Sequence, residues 1–112
     1  MGIKFYMLDS TLVVTLEGEI DHHTCVAIRE AVDKTYETRR ARNILFDFEK
    51  VTFMDSSGIG LLMGRYRLTA IGGGRIGLYN VPKHINKMLQ MANINKLMKA
   101  YVNQDEALLE LA

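Results

Sequence analysis

Two short stretches hold the residue types best suited to chemistry. Asp55-Ser56-Ser57-Gly58 stands at an expected loop-to-helix junction, and Gly18-Glu19-Ile20-Asp21 leads into a second one at His22-His23-Thr24. Asp and Ser side chains accept hydrogen bonds from the free N–H groups of a first helical turn, so Asp21, Asp55 and Ser56 all suit N-caps. A serine at such a junction is also a candidate phosphoacceptor. The helix N–H donors and the positive end of the macrodipole accommodate a phosphate without unfolding. The modification adds about −1.5 to −2 charges beside Asp55, which repels an interface rather than reshaping a core. The two roles are compatible: a cap in one state, a switch in the other.

Other chemistries lack essential parts. A nucleophile elbow needs Gly-x-Ser-x-Gly for its sharp turn, but Met54 and Asp55 occupy the positions two before Ser56 and Ser57. The dinucleotide fingerprint fails at Met63, where Gly58-Ile59-Gly60-Leu61-Leu62 wants a third glycine, and no acidic ribose partner follows at the right distance. Gly60 and Gly64, four apart on one helix, instead suit close packing against a neighbour. His22 and His23 are adjacent, so they point to different helix faces, and no further ligand stands at metal spacing. The expectation is no metal site and no catalytic residues. Cys25 falls on an apolar stripe and reads as a packing residue. Arg39, Arg40 and Arg42 form only a short basic run, flanked by Glu37 and Asp47. Most methionines fall on helical stripes and read as core.

The elements that must position these residues follow from periodicity. Ile3–Leu8 and Thr11–Glu17 read as strands joined by an Asp9-Ser10 turn. Asp21 caps a helix that buries Cys25, Ile28 and Val32, with Arg29, Asp33 and Lys34 pointing away. Ile44–Phe48 reads as a buried strand. A second helix places Ile59, Leu62, Met63, Tyr66 and Ala70 on one face, and Gly72-Gly73-Gly74 ends it. Arg75–Tyr79 is a further strand, and Pro82 opens a third helix at its first position, with Ile85, Met88 and Leu89 inward and Asn93 as its stop. Met98–Val102 is a last strand, and Asn103 with Glu106 forms a capping box for a final helix carrying Leu108, Leu109 and Leu111. Strands alternating with helices imply an α/β layer with largely parallel pairing.

Composition bounds the class. The chain has 112 residues, 48% hydrophobic and 24% charged, which suits one domain with one proper core. Disorder, a disulfide scaffold and a membrane span are excluded, and the N-terminus lacks the apolar run of a signal peptide. Fourteen basic and 13 acidic side chains leave a net charge of +1, which discourages nucleic acid and membrane partners. The total conceals an asymmetry: acidic groups concentrate before and around Ser56, and basic ones follow it. A small soluble cytoplasmic domain is expected.

Met54-Asp55-Ser56-Ser57-Gly58-Ile59-Gly60, preceded by Gly18-Glu19-Ile20-Asp21-His22-His23-Thr24, resembles the STAS domain family of anti-anti-sigma factors. The likeness covers essentially the whole chain, and Leu62-Met63-Gly64-Arg65-Tyr66-Arg67 resembles its sporulation branch. Ile20 and Ile59 depart only by standing where leucine is common. The resemblance implies a single STAS-type α/β domain over 1–112, a small mixed, mostly parallel sheet of about five strands with about four helices beside it. It implies a binding module without a cofactor of its own, whose unphosphorylated form binds an anti-sigma factor that is also a serine kinase. The sigma factor, met only indirectly, is thereby released for sporulation transcription. The kinase passes a phosphate from ATP to Ser56, and a PP2C-type phosphatase removes it. The implied docking residues are Asp21, His22, Thr24, Asp55, Ser56, Ser57, Gly58, Ile59 and Arg65. A regulatory STAS subunit of a transport or stress-signalling complex, with the serine only a cap, is the alternative.

Overall fold

The computed structural model describes residues 2–111; Met1 and Ala112, the ends of the expected 1–112 domain, lie outside them. Strands β1 (Gly2–Leu8) and β2 (Thr11–Ile20) form the expected antiparallel hairpin, with Leu8 paired to Thr11 across the Asp9-Ser10 turn. Asp9 adopts φ 52°, a left-handed conformation that aspartate tolerates better than most residues. Helix α1 (His22–Thr38) leads to β3 (Asn43–Met54), and α2 (Ser56–Ile71) leads to β4 (Ile76–Tyr79). Helix α3 (Lys83–Met91), a 3-10 turn at Ile94–Lys96, β5 (Lys99–Tyr101) and α4 (Gln104–Leu111) complete the chain.

The sheet order is β1-β2-β3-β4-β5, antiparallel at the first pair and parallel thereafter, so the expected mixed, mostly parallel sheet is present. Leu12, Val14 and Leu16 of β2 join Ile28 and Val32 of α1, Leu61 and Leu62 of α2 and Ile85 and Leu89 of α3 in the larger core. On the opposite face Val13, Leu45, Tyr79 and Tyr101 pack against Ala107 and Leu111 of α4. Burial on both faces explains why the central strands are nearly continuous apolar runs.

Strand β3 is longer than expected, spanning 12 residues and ending at Met54 rather than Phe48. Beyond Asp47 it has passed the end of β4 and pairs only with β2, through a register containing bulges. Exposed Glu49, Lys50, Thr52 and Phe53 there interrupt the apolar pattern that would have marked a strand. This extension carries β2 and β3 together to the start of both helices.

Three smaller expectations are corrected. The fully buried side of α2 is Gly58, Leu61, Leu62, Arg65 and Thr69. Ile59, Met63 and Tyr66 are half-buried and Ala70 is exposed, because α2 lies against both the sheet and α1. Pro82 is the N-cap of α3 with extended ψ 148°, one residue before the helix proper. Strand β5 is only Lys99–Tyr101, leaving Val102 exposed.

The glycine stop after α2 has a defined geometry. Gly73 N–H donates to Ala70 O at 3.1 Å and Gly74 N–H to Thr69 O at 2.8 Å, the paired bonds of a Schellman motif, with Gly73 at φ 76°. Gly73→Val is expected to cost about 1–2 kcal/mol in denaturant-induced unfolding, because a β-branched residue is strained in the left-handed region.

Candidate functional site

Residues 21 and 55 are far apart in the chain but meet at one end of the sheet. Parallel pairing sets Ile20 opposite Met54, and Asp55 N–H donates to Ile20 O at 3.0 Å. The N-termini of α1 and α2 therefore open side by side.

At α1, Asp21 Oδ1 accepts from the N–H groups of His23 and Thr24, both at 2.9 Å, while Asp21 N–H donates to Thr24 Oγ1 at 2.9 Å. This is a reciprocal capping box. Thr24 Oγ1–H donates onward to Glu19 O at 3.0 Å, fixing the approach from β2. The Thr24 N–H bond, reinforced by that of His23, holds the Asp21 carboxyl below the usual aspartate range. The folded form binds that proton less readily than the unfolded chain, so the ionised cap stabilises fully above pH 3.8, the ordinary aspartate value, and loses its effect as pH falls through the lower folded-state value. Asp21→Ala is expected to melt lower than the parent at neutral pH, with the gap closing in acid. Thermal unfolding across pH checks this.

At α2 the cap is Asp55, whose Oδ1 accepts from Ser57 N–H at 2.8 Å. Ser56, expected to share that work, is the first helical residue and is exposed. Asp55 thus holds the start of the helix, and its neighbour Ser56 is left exposed. Ser57 and Ile59 are half-buried and His22 is exposed. Gly58 is buried where a Cβ would fall 2.3 Å from Met54 Cγ and 2.4 Å from its Sδ. Its hydrogen lets the first turn of α2 close onto the end of β3.

Arg65 is not on the open surface with the other expected docking residues. It is 6% exposed, with Nε 2.8 Å from Asp33 Oδ1. Its Nη1 donates to Leu61 O at 3.3 Å. Asp33, expected to point away from the core, instead turns its carboxylate back toward α2. Packing of α1 against α2 buries the arginine, and the charge is compensated across the helix pair. Arg65 lines the floor of a groove between these helices, together with His22, Cys25, Val26, Ser57 and Gly60.

Cys25 packs half-buried against the core, as its stripe position implied. Burial pushes its thiol pKa up, and the Asp55 and Asp21 carboxylates push it further, so the thiolate nucleophile is disfavoured. The rings of His22 and His23 touch edge to face, and no cluster of three or more metal-ligating side chains occurs among the described residues. No helix there is long and apolar enough to cross a membrane. Sequence reasoning missed two apolar side chains at this end, Phe53 and Val26, each 47% exposed. Exposure of a strand-end aromatic has no local sequence signal.

The fold is a small α/β domain with two helix starts paired at one end of its sheet; the STAS domain model matches residues 3–107, and the chain belongs to that family. Membership makes it a regulatory module rather than an enzyme, of a class that needs no cofactor. It is 37% identical to the anti-sigma F factor antagonist of Paenibacillus polymyxa over 89% of this chain and 86% of the relative. It is 34% identical to the antagonist of that name from Lysinibacillus sphaericus, over 79% and 75%. Its structure is similar to the phosphorylated form of the Bacillus cell fate determinant SpoIIAA, with TM-score 0.76, 30% identity and coverage of 99% and 100%.

Proposed function

We propose that this chain is an anti-sigma factor antagonist whose docking is switched at Ser56. The unphosphorylated form binds an anti-sigma factor that is also a serine kinase and so frees the sigma factor for sporulation transcription. Phosphate from ATP on the kinase is placed on Ser56, and a PP2C-type phosphatase removes it; the cycle runs in the cytoplasm. Two relatives of at least 34% identity named as anti-sigma F factor antagonists support this reading. The observation that carries it is Ser56 itself, exposed at the first position of α2 while Asp55 does the capping.

Docking centres on the joined helix starts: Asp21, His22 and Thr24 from α1 and its cap, and Asp55, Ser56, Ser57 and Ile59 from α2, with buried Gly58 shaping the turn that presents them. Arg65 contributes from the groove floor. Negative charge at Ser56 is tolerated by the fold, since it meets the positive end of α2. It is not tolerated by an interface that already holds Asp55 and Asp21, where like charges and desolvation oppose docking.

Incubation with the anti-sigma factor kinase and ATP, followed by peptide mass spectrometry, is expected to place one phosphate on Ser56. A phosphate on Ser57 instead would overturn the residue assignment. No phosphate at all would favour the reading of a regulatory STAS subunit in which the serine is only a cap.

A further inference from the structure

The last arginine of the short basic run before β3 has a place that the Ser56 surface does not explain. Parallel strands β2, β3 and β4 begin together, with Thr11 beside Asn43 and Ile44 beside Ile76. This is the end of the sheet opposite Ser56. A cavity of about 290 Å³ opens there, lined by both Arg42 and Arg75.

The walls of the cavity are firmly held. Arg42 N–H and Asn43 N–H both donate to Ser10 O, at 2.8 and 3.1 Å, pinning the β1–β2 turn to the start of β3. Asn43 is buried and ties three elements together. Its Nδ2 donates to Thr11 Oγ1 at 3.3 Å and to Leu111 O at 3.1 Å, while its Oδ1 accepts from Arg75 N–H at 2.9 Å. Gly74 allows the α2 turn to close on this framework, since a Cβ there would fall 1.8 Å from Arg42 O.

The two guanidinium groups are oriented but not neutralised. Arg42 donates from Nε and Nη2 to Gly73 O at 3.2 and 3.0 Å, and Arg75 from Nη1 to Glu110 O at 3.4 Å. A carbonyl oxygen orients a guanidinium without cancelling its charge. Among the described residues neither arginine forms an ion pair. Glu110 lines the cavity too, but its carboxylate is engaged by Lys99 Nζ at 3.0 Å. Each arginine keeps most of its five N–H donors. Two like charges at one cavity repel each other, and a bound anion relieves that repulsion.

We infer that this cavity binds a phosphate group between Arg42 and Arg75, with Ser10 at its edge. Its volume falls just below the roughly 300–1,000 Å³ of sites for drug-sized ligands, which suits one small oxyanion. Guanidinium forks match phosphate oxygens, and a dianion meets both charges at once. The site is separate from Ser56 and does not depend on the proposed switch. A ligand that binds only the folded chain stabilises it by mass action, so occupancy raises the melting temperature.

The test titrates isotope-labelled protein with inorganic phosphate at constant ionic strength, read by amide resonances. Ser10, Gly73 and Arg75 signals are expected to shift together and saturate, while those of Ser56 and Ser57 stay in place. Glycerol phosphate presents the same group on a larger molecule. Saturation by either supports the site, and the tighter of the two names the source. Arg75→Gln is expected to bind phosphate about tenfold more weakly. It should fold as the parent does, since it loses only the 3.4 Å bond to Glu110 O. Arg42→Gln should show a similar loss; if it fails to fold, Arg75→Gln decides alone. Absence of saturation, or undiminished affinity in Arg75→Gln, would overturn the site. Acetate binding as tightly as phosphate would overturn the ligand class. A response that appears only once residues are added after Ala112 would assign the arginines to the chain's own carboxylate and overturn the proposal.

Discussion

Ser56→Asp is expected to bind the anti-sigma factor kinase about 100-fold more weakly than the parent, while Ser56→Ala binds within about threefold of it. The argument is local. Ser56 is exposed and makes no capping bond, so removing its hydroxyl deprives the fold of nothing. A carboxylate there joins Asp55 and Asp21 at the paired helix starts, and a partner that covers them must desolvate three like charges together. The same carboxylate sits at the N-terminal end of a 16-residue helix, where negative charge is favourable. Ser56→Asp is therefore expected to melt at or slightly above the parent temperature. A binding defect with undiminished stability separates a switch from a damaged fold. Equal affinity of Ser56→Asp and parent would remove the electrostatic basis of the mechanism.

Asp33→Ala is expected to destabilise the protein by about 3 kcal/mol in equilibrium denaturation, the low end of the range for orphaning a buried charge. The low end applies because Arg65 is buried while the Asp33 side chain remains 39% exposed, so water can replace part of the lost interaction. Burial already pulls the Arg65 pKa down, and the Asp33 carboxylate is what opposes that shift. Removing the carboxylate leaves the guanidinium with one aligned bond, to Leu61 O. Combining Asp33→Leu with Arg65→Met should cost less than Asp33→Ala alone, since two apolar side chains carry no uncompensated charge. A loss below about 1 kcal/mol for Asp33→Ala would show that the pair behaves as a surface ion pair and does not join α1 to α2.

These results bear on which features a single sequence displays. The helix starts were legible because capping is local chemistry: Asp21 with Thr24 and Asp55 with Ser57 need only near neighbours, and Gly72-Gly73-Gly74 ends α2 for reasons within the same few residues. The central strands were legible because burial on both faces makes them uniformly apolar. Non-local decisions were less visible. The extension of β3 to Met54 depends on its pairing with β2 after β4 has ended, and bulges break the alternation there. Arg65 was expected at the docking surface, since nothing near it in sequence shows that α1 brings Asp33 alongside. Gly60 and Gly64 suggested a packing neighbour, but a Cβ at either meets nothing within 4 Å among the described residues. The site itself needed both levels, with the two motifs carrying the chemistry and the Ile20–Met54 register bringing them together.

The net charge of +1 becomes about −1 with a single phosphate on Ser56, and the position of that change matters more than its size. It falls where two helix starts and two cap carboxylates already concentrate the electrostatics of this end of the sheet. The most direct test compares fully Ser56-phosphorylated protein with the unphosphorylated form, each titrated into the anti-sigma factor kinase in a calorimeter. About 100-fold weaker binding by the phosphorylated form is predicted, with closely similar melting temperatures. Indistinguishable affinities for the two forms would contradict it.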